Sequence, residues 1–509
     1  MSQSVVEGAR TVKMLSGMAR PAMALLLLGA FQVHQVHSYV AAVVEFSPDG
    51  ITGPLVPSLI FSNNLRRYEE FVVDARKTYA ADIIVFPEYG LTTTYTSNNR
   101  SLALEFAQIV PDKNDNIIPC TAYNDTFEYE AVRRLSCMAR DNGIYLVANL
   151  IEKVDKPGAG VLLHNTNVAF DSAGTVVSRY RKFNLFGEFA LNLTDISDIS
   201  VFDALGARFG MITCFDLMFQ QPAVELVKTY GVTDIIFPTA WIHELPFLTG
   251  PQAQAAFAYG NQVNVLASGY NEPEAGHTGS GIYLGKTAGD LFATIEQNVT
   301  SKLVVAEVPT QISQKLKTQI VNRNNIERNG INPFAQKPVE NYMLITEDNL
   351  QDYTAVPVPK NMLKGTIQAC DNMLCCNLTF EILNKDVFNF HYQLLAFDGI
   401  RTHLVGRYET EMQVCALVAC ADDTKLSCSN PFTASSYSEL TEFGHIKIEA
   451  EFKSTLLWPN TVDADTMLPL SRSAYDFQVD NTTNLAVLER SEPITNVHTF
   501  AIYSHDYIK

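Results

Sequence analysis

Up to about residue 310, short and almost continuous apolar runs alternate with stretches whose apolar positions recur every three or four residues. Tyr39, Val40, Ala41, Ala42, Val43, Val44, Glu45 and Phe46 form one such run, which predicts a buried β-strand. A loop with Pro48, Gly50, Gly53, Pro54 and Pro57 follows. From Asn64, the residues Leu65, Tyr68, Phe71, Val72, Ala75 and Tyr79 fall on one helical face, with Arg66, Arg67, Glu69 and Asp74 between them. That spacing predicts an amphipathic helix. Residues 81–86 make a second strand, stopped by Pro87.

The rhythm returns at 209–213 (strand), 222–230 (helix, with Pro222 at its start and Gly231 past its end) and 234–238 (strand). Residues 167–170 and 175–180 predict a hairpin around Asp171, Ser172, Ala173 and Gly174. Strands alternating with helices imply an α/β layered domain over 39–310. Residues 311–359 are polar, rich in Asn and Gln, and weakly periodic, so they read as a connecting segment. Beyond them, residues 445–452 alternate strictly, and six of the nine cysteines fall at 370, 375, 376, 415, 420 and 428. A smaller, disulfide-tied β-rich domain over 360–509 is expected.

Three features predict an exported product, one of them the nine cysteines, which could pair as four disulfides and leave one thiol over. Residues 1–38 carry Arg10, Lys13 and Arg20, then a short apolar run from Ala22 to Phe31 and a polar stretch, the pattern of a secretory leader. That run is too short to span a bilayer, and the last residues carry no hydrophobic tail, so no membrane anchor is expected. Asn99, Asn124, Asn192, Asn298, Asn377 and Asn481 each begin an N-x-Ser/Thr sequon, a candidate glycosylation site. The net charge of -18 repels phosphate backbones and excludes nucleic acid as an expected partner.

Candidate chemistry lies where buried strands meet loops, the usual place for a scaffold to present reactive groups. Glu88 follows Phe86-Pro87, Lys182 follows Tyr180-Arg181, and Cys214 follows Thr213. Taken singly, each has a plainer reading: Cys214 as an inert core thiol, Glu88 as a solvated loop carboxylate, Lys182 as the charged end of a hairpin. Together they are complementary. A thiol nucleophile needs a cation to favour the thiolate and a base to take its proton, and an amide carbonyl under attack needs donors for its oxyanion.

Phe86-Pro87-Glu88-Tyr89-Gly90, then Tyr180-Arg181-Lys182-Phe183-Asn184-Leu185-Phe186-Gly187-Glu188, then Thr213-Cys214-Phe215-Asp216 resemble the Glu-Lys-Cys segments of the nitrilase (carbon-nitrogen hydrolase) superfamily. Residues 237–241, 264–268 and 278–282 narrow the resemblance to its vanin and biotinidase branch. The resemblance implies a four-layer αββα sandwich with catalytic Glu88, Lys182 and Cys214. It also implies an orienting role for Glu188 and an oxyanion-binding role for the Phe215 amide. With Cys214 as the unpaired thiol, the other eight cysteines would form four bridges, Cys120 with Cys137 among them, and the remaining six allow fifteen pairings.

The substrate implied is a small amide: pantetheine, cleaved to pantothenate and cysteamine, or alternatively biocytin, cleaved to biotin and lysine. A non-catalytic secreted binding protein on the same scaffold is a further alternative. Trp241 and His243 are candidates for the pocket wall. No Cys-x-x-Cys or His-Glu-x-x-His occurs and dinucleotide-loop spacing is lacking, so neither a metal nor a cofactor is expected. Oligomeric state is left open by the sequence.

Overall fold

The computed structural model describes residues 38–50, 56–158, 160–287, 291–310, 346–384, 391–403, 408–429 and 441–507. Residues 1–37 of the leader expected over 1–38, and most of the connecting segment, 311–345, lie outside them. Ser38 already belongs to the first strand.

The strands of the first part are, in chain order, β1 (Ser38–Glu45), β2 (Ile83–Val85), β3 (Tyr145–Lys156), β4 (Gly160–Phe170), β5 (Val176–Arg181), β6 (Val201–Ala204), β7 (Ala207–Met211), β8 (Asp234–Thr239), β9 (Glu244–Leu245), β10 (Asn264–Gly269), β11 (Ser280–Leu284), β12 (Leu291–Thr294) and β13 (Lys302–Pro309). They build two six-stranded sheets, ordered β13-β1-β2-β3-β4-β5 and β12-β11-β10-β8-β7-β6. Each has three parallel strands at its centre, β1/β2/β3 and β10/β8/β7, and antiparallel strands towards its edges.

The inner faces meet in one apolar layer, where Ala41, Val43, Ile83, Val85 and Val147 oppose Phe209, Met211, Ile236, Leu266 and Ile282. Helices α1 (Pro57–Tyr79) and α2 (Glu130–Asn142) cover the outer face of the first sheet through Leu65, Tyr68, Val72, Val132 and Leu135. Helix α3 (Gly250–Asn261) covers the second through Ala253, Phe257 and Ala258. This is the αββα sandwich. The central strands are buried on both faces, which is why they read as unbroken apolar runs instead of alternating ones.

The remaining strands are β14 (Thr346–Glu347), β15 (Thr354–Pro357), β16 (Lys364–Asp371), β17 (Leu374–Ile382), β18 (His391–His403), β19 (Tyr408–Cys420), β20 (Phe443–Glu451), β21 (Leu457–Asp463), β22 (Asp476–Asp480), β23 (Leu485–Arg490) and β24 (Val497–Tyr507). Two five-stranded sheets result, β15-β18-β19-β24-β21 and β16-β17-β20-β23-β22. Cys376 on β17 is bridged to Cys415 on β19, which ties one sheet to the other. Cys120–Cys137, Cys370–Cys375 and Cys420–Cys428 complete four disulfides and leave Cys214 unpaired. Residues 346–347 and 354–357, read from sequence as part of a connector, form strands.

The two parts share a core. Phe257 of α3 meets Trp458 of β21 edge to face at 5.5 Å between centroids, and Asn460 Nδ2 donates to the Phe247 carbonyl at 2.9 Å. A Cβ at Gly260 would lie 2.2 Å from Trp458 Cδ1. Gly260→Val is therefore expected to lower stability by about 1–3 kcal/mol through overpacking, although replacing a helical glycine by valine on its own favours the helix by roughly a few tenths of a kcal/mol. Urea unfolding checks this, and an unchanged midpoint would mean that α3 does not seat against β21 this closely.

Among the sequons, Asn99, Asn124, Asn298 and Asn481 are exposed, whereas Asn192 and Asn377 are half-buried. Asn192 Oδ1 accepts from the Leu163 amide at 2.9 Å. No helix among the described residues is long and apolar enough to cross a membrane.

Candidate active site

Three strand ends converge. Glu88 lies just beyond β2, Lys182 immediately follows β5, and Cys214 opens the short helical turn Cys214–Met218 beyond β7. Both Tyr89 (φ 58°) and Cys214 (φ 47°) hold left-handed backbone that side-chain-bearing residues rarely adopt. At Cys214 a capping box fixes this turn, with the Thr213 amide donating to Asp216 Oδ2 at 3.1 Å. The same carboxylate accepts from the Tyr180 hydroxyl at 2.7 Å, and its Oδ1 from the Asn184 amide at 2.8 Å. Asp216 thus ties the segment carrying Lys182 to the segment carrying Cys214.

Lys182 Nζ lies 2.8 Å from Glu88 Oε1 and 2.8 Å from Glu188 Oε2, with all three side chains buried. Glu88 is held at both oxygens, Oε2 accepting from the Ala240 amide at 2.8 Å and Oε1 from Asn165 Nδ2 at 2.7 Å. Asn165 Nδ2 also reaches Glu188 Oε1 at 2.7 Å, and the Tyr89 hydroxyl donates to that oxygen. The Asn165 carbonyl oxygen accepts from Asn149 Nδ2 at 2.6 Å, and Asn149 Oδ1 takes the Tyr89 amide at 3.0 Å. Asn149 Nδ2 reaches Asn167 Oδ1 at 2.9 Å, and Asn167 Nδ2 reaches Thr213 Oγ1 at 2.9 Å. This chain of amides links the carboxylate segment to the cysteine segment.

Burial and then the Glu88 carboxylate push the Cys214 thiol up, while Lys182, Thr239 and the Ala240 amide pull the other way without prevailing. Burial alone would lower the Lys182 ammonium, but the Glu188 and Glu88 carboxylates and the Cys214 sulfur hold it well above its ordinary value. One cation shared by two carboxylates leaves the site with a net negative charge. The sequence suggested that Lys182 would favour a thiolate, but its charge is already taken up by the glutamates. The resting sulfur is a thiol with a carboxylate close by.

The Phe215 amide follows the sulfur in the same turn, and the Phe215 ring packs edge-on against Phe186 at 4.9 Å between centroids. Cys214, Phe186, Phe215, Ala240 and Trp241 line a cavity of about 430 Å3. His243, expected in the pocket wall, is instead enclosed away from this lining. Its Nδ1 accepts from the Gly250 amide at 2.8 Å, and burial, with His277 nearby, lowers its pKa to about 3. It is a neutral, structural imidazole.

Comparison with known proteins identifies the family. Residues 40–267 match the carbon-nitrogen hydrolase family and residues 342–509 the vanin C-terminal domain. A pantetheinase from Canis lupus familiaris is 32% identical over 503 residues, spanning 95% of this chain and 92% of that protein. Vanin-like protein 1 from Drosophila melanogaster is 31% identical over 506 residues, spanning 92% of this chain and 86% of the relative. The chain belongs to the vanin family of carbon-nitrogen hydrolases.

As a vanin-family protein it is an amidohydrolase acting on carbon-nitrogen bonds. Its C-terminal domain does more than support the fold: Asp348, Tyr353, Phe397 and Arg401 line the cavity that Cys214 faces. No cluster of metal-ligating side chains occurs among the described residues. Asn149, Asn165 and Asn167 were missed from sequence. The available signal was polar amides at alternate positions within an otherwise buried strand, since 165 and 167 share one face of β4.

One unpaired thiol among nine cysteines has a direct consequence. Under non-reducing conditions iodoacetamide is expected to label one cysteine, Cys214, in native and in urea-unfolded protein alike. Peptide mass mapping reads the site, and a second labelled cysteine in the unfolded protein would show a bridge missing.

Proposed function

We propose that this protein is an exported pantetheinase, cleaving pantetheine to pantothenate and cysteamine through a thioester on Cys214. The observation that carries the reading is the buried Lys182 ammonium, held at 2.8 Å from both Glu88 and Glu188 beside the family's only unbridged cysteine in this chain. The relatives named pantetheinase supply the substrate.

In the reaction, Glu88 takes the Cys214 proton as sulfur bonds to the amide carbonyl carbon. The Lys182 ammonium and the Phe215 amide receive the oxyanion, a contribution of about 3–4 kcal/mol per donor in comparable sites. Glu88 then passes its proton to the departing nitrogen, the C–N bond breaks, and cysteamine leaves a thioester behind. Water adds to that thioester with Glu88 taking its proton, the C–S bond breaks, and the sulfur recovers the proton from Glu88. Each cycle ends with thiol and carboxylate as they began. Because Glu88 starts as an acceptor and the sulfur as a thiol, attack and proton transfer are coupled, and no standing thiolate is required. Glu188 and Asn165 act through Lys182 and Glu88 as positioning residues.

Export is part of this reading, supported by four disulfides, which persist in oxidising compartments, and by exposed sequons. Incubating the purified protein with pantetheine and with biocytin tests the substrate. Cysteamine release supports the proposal, lysine release assigns the biotinidase branch instead, and release of neither overturns hydrolysis of both.

A further inference from the structure

The cavity that Cys214 lines also takes in charged side chains. There the C-terminal domain brings in Arg401 from β18, with Asp348, Asn349 and Thr402, opposite Glu244 from the first part. The placement is built in: β14 pairs in parallel with β9, with Thr346 beside Glu244, and the Asp348 amide donates to the Leu245 carbonyl at 3.0 Å. The Arg401 guanidinium pairs through Nη2 with Glu244 and, at 3.3 Å, with Asp348. The Tyr503 hydroxyl lies close enough to act on the guanidinium. Its Nη1, however, is buried with no hydrogen-bond partner among the described residues.

We propose that Arg401, with Glu244 and Asp348, is a specificity-determining site that receives the neutral, hydroxyl- and amide-bearing end of the substrate's acyl chain. The inference rests on the amidase reading above and deepens it. The leaving amine of pantetheine is far too small to need a cavity of about 430 Å3, so the acyl chain is its occupant. Phe186, Trp241, Leu248, Tyr353 and Phe397 supply apolar wall for the chain's methyl-bearing carbon. One guanidinium between two acidic side chains, with Asp352 also in the lining, carries no surplus positive charge. A carboxylate-ended chain is repelled there. A neutral chain is suited, its oxygen accepting from the guanidinium and its hydroxyls donating to the carboxylates.

The test compares three amides on the full chain: pantetheine, its analogue lacking both hydroxyls, and N-propanoylcysteamine. Wild-type kcat/KM is expected to fall by about 10- to 100-fold from pantetheine to the dideoxy analogue, the loss of one or two hydrogen bonds to charged groups. In Arg401→Met that preference is expected to collapse to within about threefold, with the loss on pantetheine exceeding the loss on N-propanoylcysteamine at least tenfold. A wild-type protein that cleaves all three amides without preference overturns this proposal and leaves the amidase reading standing. Equal losses by Arg401→Met on all substrates overturn it in favour of a structural role. A wild-type protein that cleaves none overturns both readings. The wild-type arm holds whether or not the variant folds.

Discussion

Cys214→Ala is expected to abolish amide hydrolysis, by roughly 10⁴-fold or more, while the fold and all four disulfides persist. In the proposed mechanism the sulfur forms the covalent bond, and no other unpaired cysteine is present to replace it. Structurally the exchange is mild. Cys214 is uncharged at rest because burial and Glu88 hold its thiol up, so alanine removes no ion pair. The left-handed backbone at this position strains alanine as it strains cysteine. Steady-state rates together with circular dichroism and a thiol count falling from one to zero check the outcome. A folded variant that keeps a tenth of the parent rate would place the nucleophile elsewhere.

Which parts of this arrangement the sequence disclosed follows from what each part needs. Doubly buried central strands need unbroken apolar runs, so β1, β2, β7 and β8 were legible, and the hairpin between β4 and β5 was marked by Gly174. That glycine has φ 84°, and a Cβ there would sit 2.5 Å from the Ser136 carbonyl oxygen. The start of α1 was misread as Asn64, although the helix begins at Pro57. Pro57 was counted as a loop residue, whereas in the first turn of a helix proline costs nothing. Asn64 itself is buried inside the helix, accepting from the Asp49 amide at 2.8 Å. The helix expected over 222–230 is found slightly shorter: Gln221 keeps an extended backbone, so the helix starts at Pro222, and it ends at Lys228.

The site divided in the same way. Glu88, Lys182, Cys214 and Glu188 stand in short segments whose order carries the family resemblance, and the structure gathers the two glutamates around the lysine. The amide chain through Asn149, Asn165 and Asn167 was only partly legible: alternating amides mark one face of β4, but what they bind depends on cross-strand partners that the sequence does not give. The charged part of the cavity lining was hidden more deeply. Arg401 and Glu244 are 157 positions apart, and β14, which holds Asp348 in place, is a two-residue strand without any periodic signature.

Lys182→Met separates the two things that the buried ammonium does. Its side chain is about as long as lysine's and apolar, so packing is largely kept while the charge is lost. Two carboxylates, Glu88 and Glu188, then share an enclosed space with no cation, where the parent has one cation between them. Breaking a buried pair from one side costs about 3–5 kcal/mol, because the remaining charge is neither solvated nor paired. Catalysis is expected to fall by roughly 10³-fold as well, through loss of an oxyanion donor. Adding Glu188→Gln returns the site to the parent's net charge. The double variant is therefore expected to recover a large part of the lost stability, while its kcat stays as low as that of Lys182→Met. Guanidinium denaturation and kcat measured on the same preparations test this pair. A single variant as stable as the parent would mean that the ammonium does not hold the two carboxylates together, and a double variant that regains activity would mean that it takes no part in turnover.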